Sequence, residues 1–336
     1  MRIGILSSGG DCPGINATIR GVSKAAITHY GIEVIGIKDG FQGLLNKDYI
    51  PLDENSLSGL LSLGGTILGT SREKPFRKLL GEAELFKPQI IVDNYEALGL
   101  DCLVCIGGNG TQKTAFRLSQ IGLNVIGIPK TIDNDVWGTD FTFGFDSAVT
   151  IATEAIDRLH STASSHKRVM VIELMGHKAG WITLFAGMAG GADVILIPEL
   201  GYDIATINQV ILDRLHKGKT YSIVAVAEGL DINRRNPASY ISRQIEEGTG
   251  VESRETILGY IQRGGSPSAF DRNLATRLGG YATELIAKRK FNRMVCLRNE
   301  VISSLSLKEV SGKLKLIPLD HDLIVQGKRM GISFGI

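Results

Sequence analysis

Short apolar segments alternate with amphipathic segments along most of the chain. The first apolar segment covers residues 2–6, residues 16–29 have the spacing of a helix, and residues 33–37 are apolar again. Strands that alternate with helices form mainly parallel sheets with helices on both faces, so the pattern predicts an α/β fold. The same alternation predicts further strands at 102–106, 124–128, 169–174, 193–197 and 221–226, and further helices at 111–120 and 206–216.

The length and charge of the chain narrow the class of protein. A chain of 336 residues is longer than one hydrophobic core usually serves, so we expect two domains. Charged residues make up 21% and the formal net charge is +2, which creates no long-range field toward nucleic acid or membrane. No stretch approaches 18 uninterrupted apolar residues, and residues 1–10 do not fit a signal peptide. We therefore expect a cytoplasmic protein with no nucleic-acid or membrane partner.

The four cysteines fit a reducing compartment. Cys102 and Cys105 form a CxxC spacing, but they lie in an apolar segment that predicts a strand. Residues three apart on a strand face opposite ways, which argues against a shared metal ion or a disulfide. We expect Cys12, Cys102, Cys105 and Cys296 to be buried thiols.

Polar and glycine-rich residues directly follow five of the predicted strands. Ligands of parallel α/β sheets bind beyond the carboxyl ends of the strands, so we expect these segments to form one binding site. A passive fold needs small turn residues there, but not carboxylates and hydroxyls at so many strand ends. The segments are residues 7–11, 107–111, 129–135 and 175–177, together with Glu228.

Two of these segments are suited to phosphate. Gly9 and Gly10 follow one strand, and residues 107–111 follow another, each directly before a helical pattern. Glycine lets the backbone approach a phosphate closely, and a helix start offers free N–H groups and a positive dipole end. Residues 107–114 lack the second glycine of a Walker A loop, and residues 9–14 do not match the GxGxxG dinucleotide motif. The sequence thus predicts a polyphosphate ligand held by another glycine arrangement.

The acidic segment at 129–135 is the candidate catalytic element. Phosphoryl transfer to an alcohol needs a carboxylate to take the proton, cations to neutralise the transferred group, and usually Mg²⁺. Asp133 and Asp135 supply carboxylates, and Lys130 supplies a cation. An Asp-Asn-Asp sequence alone is more typical of a solvated turn. Its position after an apolar strand makes Asp133 the candidate base.

Arginines in polar segments are candidate ligands of a sugar phosphate. The planar guanidinium offers two donors at once to a phosphate, although any single arginine is more often a surface charge. His177 and Lys178 are ambiguous, because a lone histidine more often packs than catalyses. The arginines are Arg72, Arg168, Arg254 and Arg263.

Over nearly its whole length the chain closely resembles the 6-phosphofructokinases. PKTIDND at 129–135 and IQRGGSP at 261–267 are together highly specific to that family. Further matching segments are GGDCPGIN at 9–16, GGTILGTSR at 64–72, GGNGT at 107–111, EAIDRLHSTASSHKR at 154–168 and MGHKAG at 175–180.

The resemblance implies a fold, an activity and an assembly. The fold would be two Rossmann-like three-layer domains, a donor-binding domain at 1–144 plus 262–306 and a sugar-phosphate domain at 145–261 plus 307–336. The activity would be transfer of a phosphoryl group from ATP, with Mg²⁺, to the 1-hydroxyl of fructose 6-phosphate. The assembly would be a homotetramer, or a homodimer, with shared active sites.

The resemblance also implies roles for the residues that bind the donor. Asp133 would be the base, and Arg72 and Lys130 would support catalysis as cations. Gly110 and Lys130 would determine the phosphoryl donor. The ATP-binding residues would be Gly10, Arg72, Glu73, Gly108, Asn109, Gly110 and Thr111.

A second set would bind the sugar phosphate. Arg168 and Arg254 would reach in from a neighbouring subunit, which would make the oligomer part of the active site. The full set is Thr131, Ile132, Asp133, Arg168, Met175, Gly176, His177, Glu228, Arg254, Tyr260, Ile261, Gln262 and Arg263.

Three positions depart from the family pattern. Asn109 stands where the family commonly has aspartate, and a neutral amide is a weaker ligand for Mg²⁺ than a carboxylate. His177 stands where arginine is frequent, which leaves more transition-state charge to Arg72 and Lys130. Tyr260 replaces a frequent histidine and can still donate a hydrogen bond.

The donor positions give a mixed signal. In the family, glycine at both positions accompanies ATP, whereas aspartate with lysine accompanies pyrophosphate; this chain has Gly110 with Lys130. An aspartate at 110 would fill space and repel the α-phosphate, whereas glycine leaves room for a nucleotide. We therefore expect ATP, with a pyrophosphate-dependent enzyme as the alternative.

Regulation and rival functions also follow from the sequence. Bacterial relatives bind phosphorylated effectors in a basic pocket between subunits, but Glu54 and His160 lack the expected charge, so we expect weak or absent activation by ADP. The rivals are an NAD or lipid kinase, which shares the glycine-rich loop, and a non-catalytic sugar-phosphate sensor. The effector-site cations that remain are Arg20, Lys24, Lys217 and Lys219.

Overall fold

The computed structural model describes residues 1–77, 87–230 and 236–336, and confirms the predicted α/β fold. These residues form two compact units, each with most of its contacts between residues of the same unit. Unit 1 comprises residues 1–131, 136–144 and 263–314, and unit 2 comprises residues 132–135, 145–262 and 315–336.

The described strands alternate with helices, as predicted. Most predicted strands begin and end within one or two residues of the observed bounds. The strands are β1 (Arg2–Ser8), β2 (Glu33–Ile37), β3 (Tyr49–Pro51), β4 (Cys102–Gly107), β5 (Val125–Pro129), β6 (Val169–Leu174), β7 (Val194–Leu196), β8 (Ser222–Ala227), β9 (Ser253–Ile257), β10 (Arg293–Arg298) and β11 (Val301–Ser306).

The helices connect these strands, and short irregular turns occur beside some of them. A π-helical turn, Ala25–His29, continues α1, and 3-10 turns cover Leu60–Ser62 and Gly259–Arg263. The helices are α1 (Ile15–Lys24), α2 (Phe41–Asn46), α3 (Lys87–Ala97), α4 (Asn109–Gln120), α5 (Phe145–His166), α6 (Trp181–Ala189), α7 (Ile204–His216), α8 (Pro237–Thr249), α9 (Ala269–Ala287), α10 (Leu307–Val310) and α11 (Asp322–Arg329).

The sheet of unit 1 is mainly parallel. Its strand order in the described residues is β11-β10-β5-β4-β1-β2-β3, with β3 and β11 antiparallel to their neighbours. The central strands are buried on both faces, and for that reason their sequences are almost continuously apolar. The carboxyl ends of β1, β4 and β5 therefore lie side by side at one edge of this sheet.

The sheet of unit 2 is parallel throughout its described strands, in the order β7-β8-β6-β9. Strands β6 and β8 are central and almost fully buried, whereas β9 is an edge strand with a mostly exposed, polar sequence. The ends of β6 and β8 are thus neighbours at one edge of the second sheet.

The contact units differ in detail from the predicted domain boundaries. Residues 307–314 belong to unit 1, because Leu307 and Val310 are buried in the same apolar cluster as Leu118 of α4. Residues 132–135 and residue 262 belong to unit 2. The functions assigned to the two domains stay a prediction.

All four cysteines are buried and carry free thiols. Burial raises the pKa of the Cys12 and Cys105 thiols, because the charged thiolate is disfavoured away from water. Across the described ranges, no helix has both the length and the apolar character that a membrane span requires.

Candidate active site

The five predicted strand ends belong to two different sheets. Those of β1, β4 and β5 lie in unit 1, and those of β6 and β8 lie in unit 2. The expectation that these strand ends form one binding site stays a prediction. The structure places the predicted residues in two groups, one in each unit.

The turn after β1 is held by the segment that leads to Arg72. Gly9 adopts a positive φ of 91°, a conformation that favours glycine. Its N–H donates to the carbonyl oxygen of Ser71 over 2.9 Å, and the hydroxyl of Thr70 donates to the Gly9 carbonyl over 2.8 Å. These bonds place Arg72 directly beside the glycine turn.

Lys130 brings a positive charge to the same turn. Its side chain is only 2% exposed, and its ammonium group donates to the carbonyl oxygen of Ser8 over 3.2 Å and to that of Gly10. The backbone N–H of Lys130 donates to the Gly107 carbonyl over 3.1 Å, which joins the ends of β4 and β5. The predicted donor-site cation thus lies at the end of β1.

The start of α4 provides the second glycine-rich turn. Gly108 precedes the helix as its N-cap residue and has no side chain that could cap it. Thr111 is buried, and its hydroxyl donates to the Ser8 carbonyl over 3.3 Å, which ties α4 to the glycine turn after β1. A helix N-terminus beside a buried lysine is a suitable place for phosphate oxygens.

Gly110 lies in open space at this helix start. A Cβ built on Gly110 would meet no heavy atom of the described residues within 4 Å. Asn109, the first residue of α4, precedes it. The space beside Gly110 is therefore open to a ligand.

A cavity of about 440 Å³ opens beside Gly110 in unit 1. Predicted residues Arg72, Glu73, Gly110 and Thr111 line it, and Glu73 forms an ion pair with Lys87 over 3.0 Å. Lining residues that the sequence analysis missed include Phe41, Lys74, Phe76, Arg77, Lys113, Thr114 and Arg117.

The missed lining residues combine cations with aromatic rings. The guanidinium carbon of Arg117 lies 4.0 Å from the centroid of the Phe76 ring, a cation–π contact between two residues that line the cavity. The repeated pairing of Phe with a following Arg, at 76–77 and 116–117, was the available signal in the sequence. Such a wall suits an aromatic ring with an anionic tail.

Arg263, predicted to bind the sugar phosphate, lies in unit 1 beside Gly10. A Cβ added to Gly10 would overlap its guanidinium group, with the Cζ atom 2.8 Å away. Glycine at position 10 therefore leaves room for the Arg263 side chain next to the glycine turn.

The group in unit 2 is organised by Glu228, at the end of β8. Its carboxylate accepts hydrogen bonds from the backbone N–H groups of Gly176 at 3.2 Å and His177 at 2.8 Å. Both residues have positive φ, 153° and 54°. The N–H of Met175 donates to the buried side chain of Gln262 over 3.3 Å. The structure thus brings five predicted residues together.

Tyr260 and Ile261 belong to the 3-10 turn that follows β9. Their side chains are 73% and 68% exposed, so unit 2 alone does not enclose them. The neighbouring Gln262 is fully buried and anchors the turn by donating to the Gly259 carbonyl over 3.1 Å. The turn therefore presents two large side chains on a fixed backbone.

The segment 130–135 carries the chain from unit 1 into unit 2. Thr131 is in unit 1, where its carbonyl accepts a 2.7 Å hydrogen bond from the Thr142 hydroxyl. Ile132 is in unit 2 and is buried. The chain therefore passes from unit 1 to unit 2 between Thr131 and Ile132, two of the residues predicted to contact the sugar.

Asp133 is half-buried and is followed by a residue in an unusual conformation. Asn134 is 1% exposed and has a φ of 51°, in the left-handed region. Its side-chain oxygen accepts a 2.8 Å hydrogen bond from the ammonium group of Lys315. The candidate base is therefore followed directly by a buried residue in the left-handed conformation.

Arg168 and Arg254 lie apart from the other predicted ligands of unit 2. Arg168 directly precedes β6 and Arg254 is near the start of β9, whereas Met175 and Glu228 follow the opposite ends of their strands. A six-residue strand spans about 17 Å, so the two arginines are far from that group within one chain.

One carboxylate joins these two arginines. Glu252 accepts a hydrogen bond from Arg168 Nε at 2.6 Å and another from Arg254 Nη2. The bond from Arg168 is the main reason that the pKa of Glu252 lies below its ordinary value. The Glu252 carboxylate thus holds the two guanidinium groups near each other.

The positions that the resemblance assigns to an effector site divide between the two units. Arg20, Lys24 and Glu54 are in unit 1, and Lys217 and Lys219 are in unit 2. His160 makes hydrogen bonds inside unit 2, at 3.2 Å to the Tyr221 hydroxyl and 2.7 Å to the Gly190 carbonyl.

The residues present offer only sparse ligands for a metal ion. Within the described parts of the chain, no group of three or more His, Cys, Asp or Glu side chains is suitably placed for one. Mg²⁺ commonly binds through one or two protein oxygens and several substrate phosphate oxygens. The side chain of Asn109 at the start of α4 fits that limited role.

Comparisons with known proteins show to which family the chain belongs. The sequence profile of the phosphofructokinase family matches residues 2–286. A Bacteroides thetaiotaomicron protein named ATP-dependent 6-phosphofructokinase 3 is 67% identical over all 336 residues of this chain and the whole relative. An ATP-dependent 6-phosphofructokinase from Spirochaeta thermophila is 54% identical, over 99% of this chain and 97% of the relative.

Solved structures show the same fold. Phosphofructokinase from Saccharomyces cerevisiae superposes with a TM-score of 0.84 at 32% identity, covering 92% of this chain and 45% of the yeast chain. A pyrophosphate-dependent phosphofructokinase from Nitrosospira multiformis superposes with a TM-score of 0.86 over 100% of this chain and 92% of that chain. At 22% identity, the second match shows the fold alone. Profile, relatives and fold together place this chain in the phosphofructokinase family.

Proposed function

We propose that this protein transfers the γ-phosphoryl group of ATP to the 1-hydroxyl of fructose 6-phosphate, giving fructose 1,6-bisphosphate and ADP. The main support is the set of residues in unit 1 that were predicted to bind the phosphoryl donor. There the buried Lys130, the glycine turn after β1 and the start of α4 lie beside the basic cavity next to Gly110. The relatives at 67% and 54% identity carry the name of this activity. The activity is a step of glycolysis.

ATP is the donor that this cavity fits better than pyrophosphate. Pyrophosphate needs only the glycine turns and their cations, whereas ATP also needs a place for the base and ribose. The cavity of about 440 Å³, with Phe41 and Phe76 in its wall, supplies that place. The open space at Gly110 leaves the path from the phosphates to this cavity clear.

Asp133 acts as the general base. It takes the proton of the sugar 1-hydroxyl as that oxygen bonds to the γ-phosphorus and the bond from phosphorus to the β,γ-bridging oxygen breaks. Arg72 and Lys130 stabilise the negative charge on the transferred group and on the departing ADP. Because only two residues separate Lys130 from Asp133 in sequence, the length of the backbone keeps their Cα atoms within about 11 Å of each other.

Mg²⁺ enters this scheme with the nucleotide. When bound, it would neutralise charge on the phosphate oxygens. The Asn109 side-chain oxygen is the ligand that the chain offers at the start of α4, and Thr111 adds a hydroxyl. Since an amide is a weak ligand, the affinity for free Mg²⁺ would be low and that for MgATP higher.

The sugar phosphate is held by Met175, Gly176, His177, Glu228 and the turn at 260–263, with two arginines supplied by a second copy of the chain. Within one chain, Arg168 and Arg254 stand at the wrong ends of β6 and β9 for this purpose. We therefore infer a homotetramer, or a homodimer, with shared active sites. Its buried thiols agree with a cytoplasmic location.

Activation by ADP would be weak or absent. Glu54 is exposed and would repel a phosphorylated effector, and His160 is engaged by Tyr221 and Gly190. A sigmoidal rate curve that ADP makes hyperbolic would contradict this expectation.

A donor panel tests the proposed function. The purified protein is assayed with fructose 6-phosphate and ATP, other triphosphates or pyrophosphate, and then with NAD or a lipid acceptor in place of the sugar. We expect turnover with ATP and fructose 6-phosphate, and a loss of at least ~10²-fold in kcat for Asp133→Asn. Turnover with pyrophosphate but not with ATP would identify pyrophosphate as the donor. Binding of the sugar phosphate without turnover would indicate a sensor. A near-normal kcat in Asp133→Asn would contradict the assignment of Asp133 as the base.

A further inference from the structure

The C-terminal part of the chain is attached to the segment that carries the proposed base. Lys315 lies 180 residues beyond Asp135, yet its backbone N–H donates to the Asp135 carbonyl over 2.9 Å. Its ammonium group donates to the side-chain oxygen of Asn134 over 2.8 Å. Backbone and side chain of one lysine therefore contact the two residues that follow Asp133.

Lys315 is itself held in place by unit 2. The indole N–H of Trp181 donates to its carbonyl over 2.9 Å, and its ammonium nitrogen lies 5.1 Å from the centroid of the indole ring. Two residues on, the N–H of Ile317 donates to the Glu199 carboxylate over 3.2 Å, and the same carboxylate accepts from Gly180, which precedes α6, at 3.0 Å. Lys315 thus couples the start of α6 to segment 132–135.

Asn134 is the residue that needs such support. At a φ of 51° the residue is in the left-handed region, which asparagine adopts more readily than most residues but still less readily than the right-handed region, so contacts of its side chain help to fix it. A change in its backbone would turn the preceding peptide and redirect the Asp133 carboxylate. A misplacement of a catalytic group by about 1 Å can cost as much as 10²-fold in rate.

We propose that Lys315 is a positioning residue for catalysis, which holds Asn134 in its left-handed conformation and thereby aims the carboxylate of Asp133 at the acceptor hydroxyl. The proposal rests on the proposed function, since it takes Asp133 as the base. It assigns Lys315 no contact with substrate. Its effect is therefore on kcat, with the substrates bound as before.

The chain provides a matched control two residues away. Lys313 places its ammonium nitrogen 4.1 Å from the centroid of the Trp137 ring, a contact of the same kind, but in unit 1. Lys313→Met and Lys315→Met both remove one positive charge and one contact with an indole ring. Only the second removes the bond to Asn134.

The experiment compares kcat and KM for both substrates in these variants and in Lys315→Arg. For Lys315→Met we expect kcat to fall about tenfold, with both KM values within about twofold of wild type. Lys313→Met should behave as wild type, and Lys315→Arg, which keeps a charged donor, should recover most of the rate. Unchanged kcat in Lys315→Met, or equal losses in both methionine variants, would overturn the proposal.

A double-mutant cycle tests whether Asn134 transmits the effect. Asn134→Gly removes the acceptor oxygen and tolerates the positive φ. Once it is present, Lys315→Met should cost less than about twofold further in kcat, whereas independent, multiplying losses would contradict the route through Asn134. Thermal unfolding is followed for each variant; should Lys315→Met not fold, Lys315→Arg and Asn134→Gly carry the test through their kcat and KM values.

The outcomes separate this inference from the proposed function. If the wild-type protein shows no ATP-dependent turnover of fructose 6-phosphate, or if Asp133→Asn is fully active, the proposed function fails and the inference with it. If wild type is active, Asp133→Asn is inactive and Lys315→Met is normal, only the positioning role of Lys315 fails.

Discussion

The ammonium group of Lys130 lies 3.2 Å from the carbonyl oxygen of Ser8, the last residue of β1, although 122 residues separate the two in sequence. The bond, with a second one to the Gly10 carbonyl, places a cation directly beneath a turn suited to phosphate. Lys130 therefore has a structural role besides its predicted role in donor choice. It also fixes the backbone of the donor site.

Lys130→Met should lower both stability and rate. It leaves two backbone carbonyls without the charged donor, and a lost buried hydrogen bond of this kind costs about 1–3 kcal/mol. Urea denaturation should show that loss. A coupled assay should show a kcat at least ~10-fold lower, because the proposed mechanism uses Lys130 as a cation near the transferred group. The exposed Lys308→Met is the control. Full stability in Lys130→Met would show that the carbonyls find other donors.

Gly110→Asp should impair the use of ATP without harming the fold. Gly110 has an ordinary helical backbone, and in the described chain nothing lies within 4 Å of a Cβ added there. The new carboxylate would repel the nucleotide phosphates, so we expect the KM for ATP to rise at least ~10-fold while the melting temperature stays near that of wild type.

Gly110→Asn separates charge from size at this position. The amide has nearly the volume of the carboxylate but no charge, so its KM for ATP should lie between those of wild type and Gly110→Asp. Equal KM values for the two variants would mean that space, and not charge, excludes ATP. An unchanged KM in both would remove Gly110 from the determinants of donor choice.

The elements that could be predicted from the sequence are the buried central strands. Strands β1, β4, β5, β6 and β8 are mostly apolar, and glycine or polar residues follow each within two residues, so periodicity and turn signals agree. Strand β9 was missed because it is an exposed edge strand with the sequence Ser-Arg-Glu-Thr-Ile. Nothing in its composition distinguishes it from a loop.

The site was predicted unevenly for a related reason. Glycine turns and the acidic segment follow apolar strands and stand out locally, whereas Lys74, Arg77 and Lys113 resemble ordinary surface charges until the fold places them around one cavity. The division of the strand ends between two sheets, and the bond from Lys315 to Asn134, depend on contacts across more than 100 residues. Local patterns carry no information on such contacts.

Replacing either of two adjacent glycines in α9 by alanine should change the stability of the protein, but in opposite directions. A Cβ on Gly279 would lie 2.8 Å from the backbone nitrogen of Val22 and 2.9 Å from the carbonyl oxygen of Thr18, because α1 packs against α9 at this point. A Cβ on Gly280 would meet no described atom within 4 Å. Gly279→Ala should lower the free energy of unfolding by about 1–3 kcal/mol through overpacking, and Gly280→Ala should raise it by about 0.5–1 kcal/mol. Denaturant titration of both variants checks this; a stabilised Gly279→Ala would mean that the helices separate without cost.

Arg254→Ala and Asp133→Asn should complement each other when their subunits are mixed. Each variant alone should be nearly inactive at low sugar-phosphate concentration, the first because losing a charge-assisted bond raises the KM for fructose 6-phosphate roughly 10- to 100-fold. If Arg254 serves the site of a neighbour, a site with Asp133 from one chain and Arg254 from the other is intact. Random mixing of equal amounts makes about a quarter of all sites intact.

The result of mixing decides between two geometries. Recovery of about a quarter of the wild-type rate after joint unfolding and refolding is expected if arginines act across subunits. If Arg254 acted within its own chain, no mixed site would combine both intact residues, and the rate would stay at the level of the separate variants. The position of Arg254 near the start of β9, about one strand length from the end at which Tyr260 follows, favours the first geometry. Glu252→Gln should not prevent recovery, since the amide oxygen can still accept from Arg168.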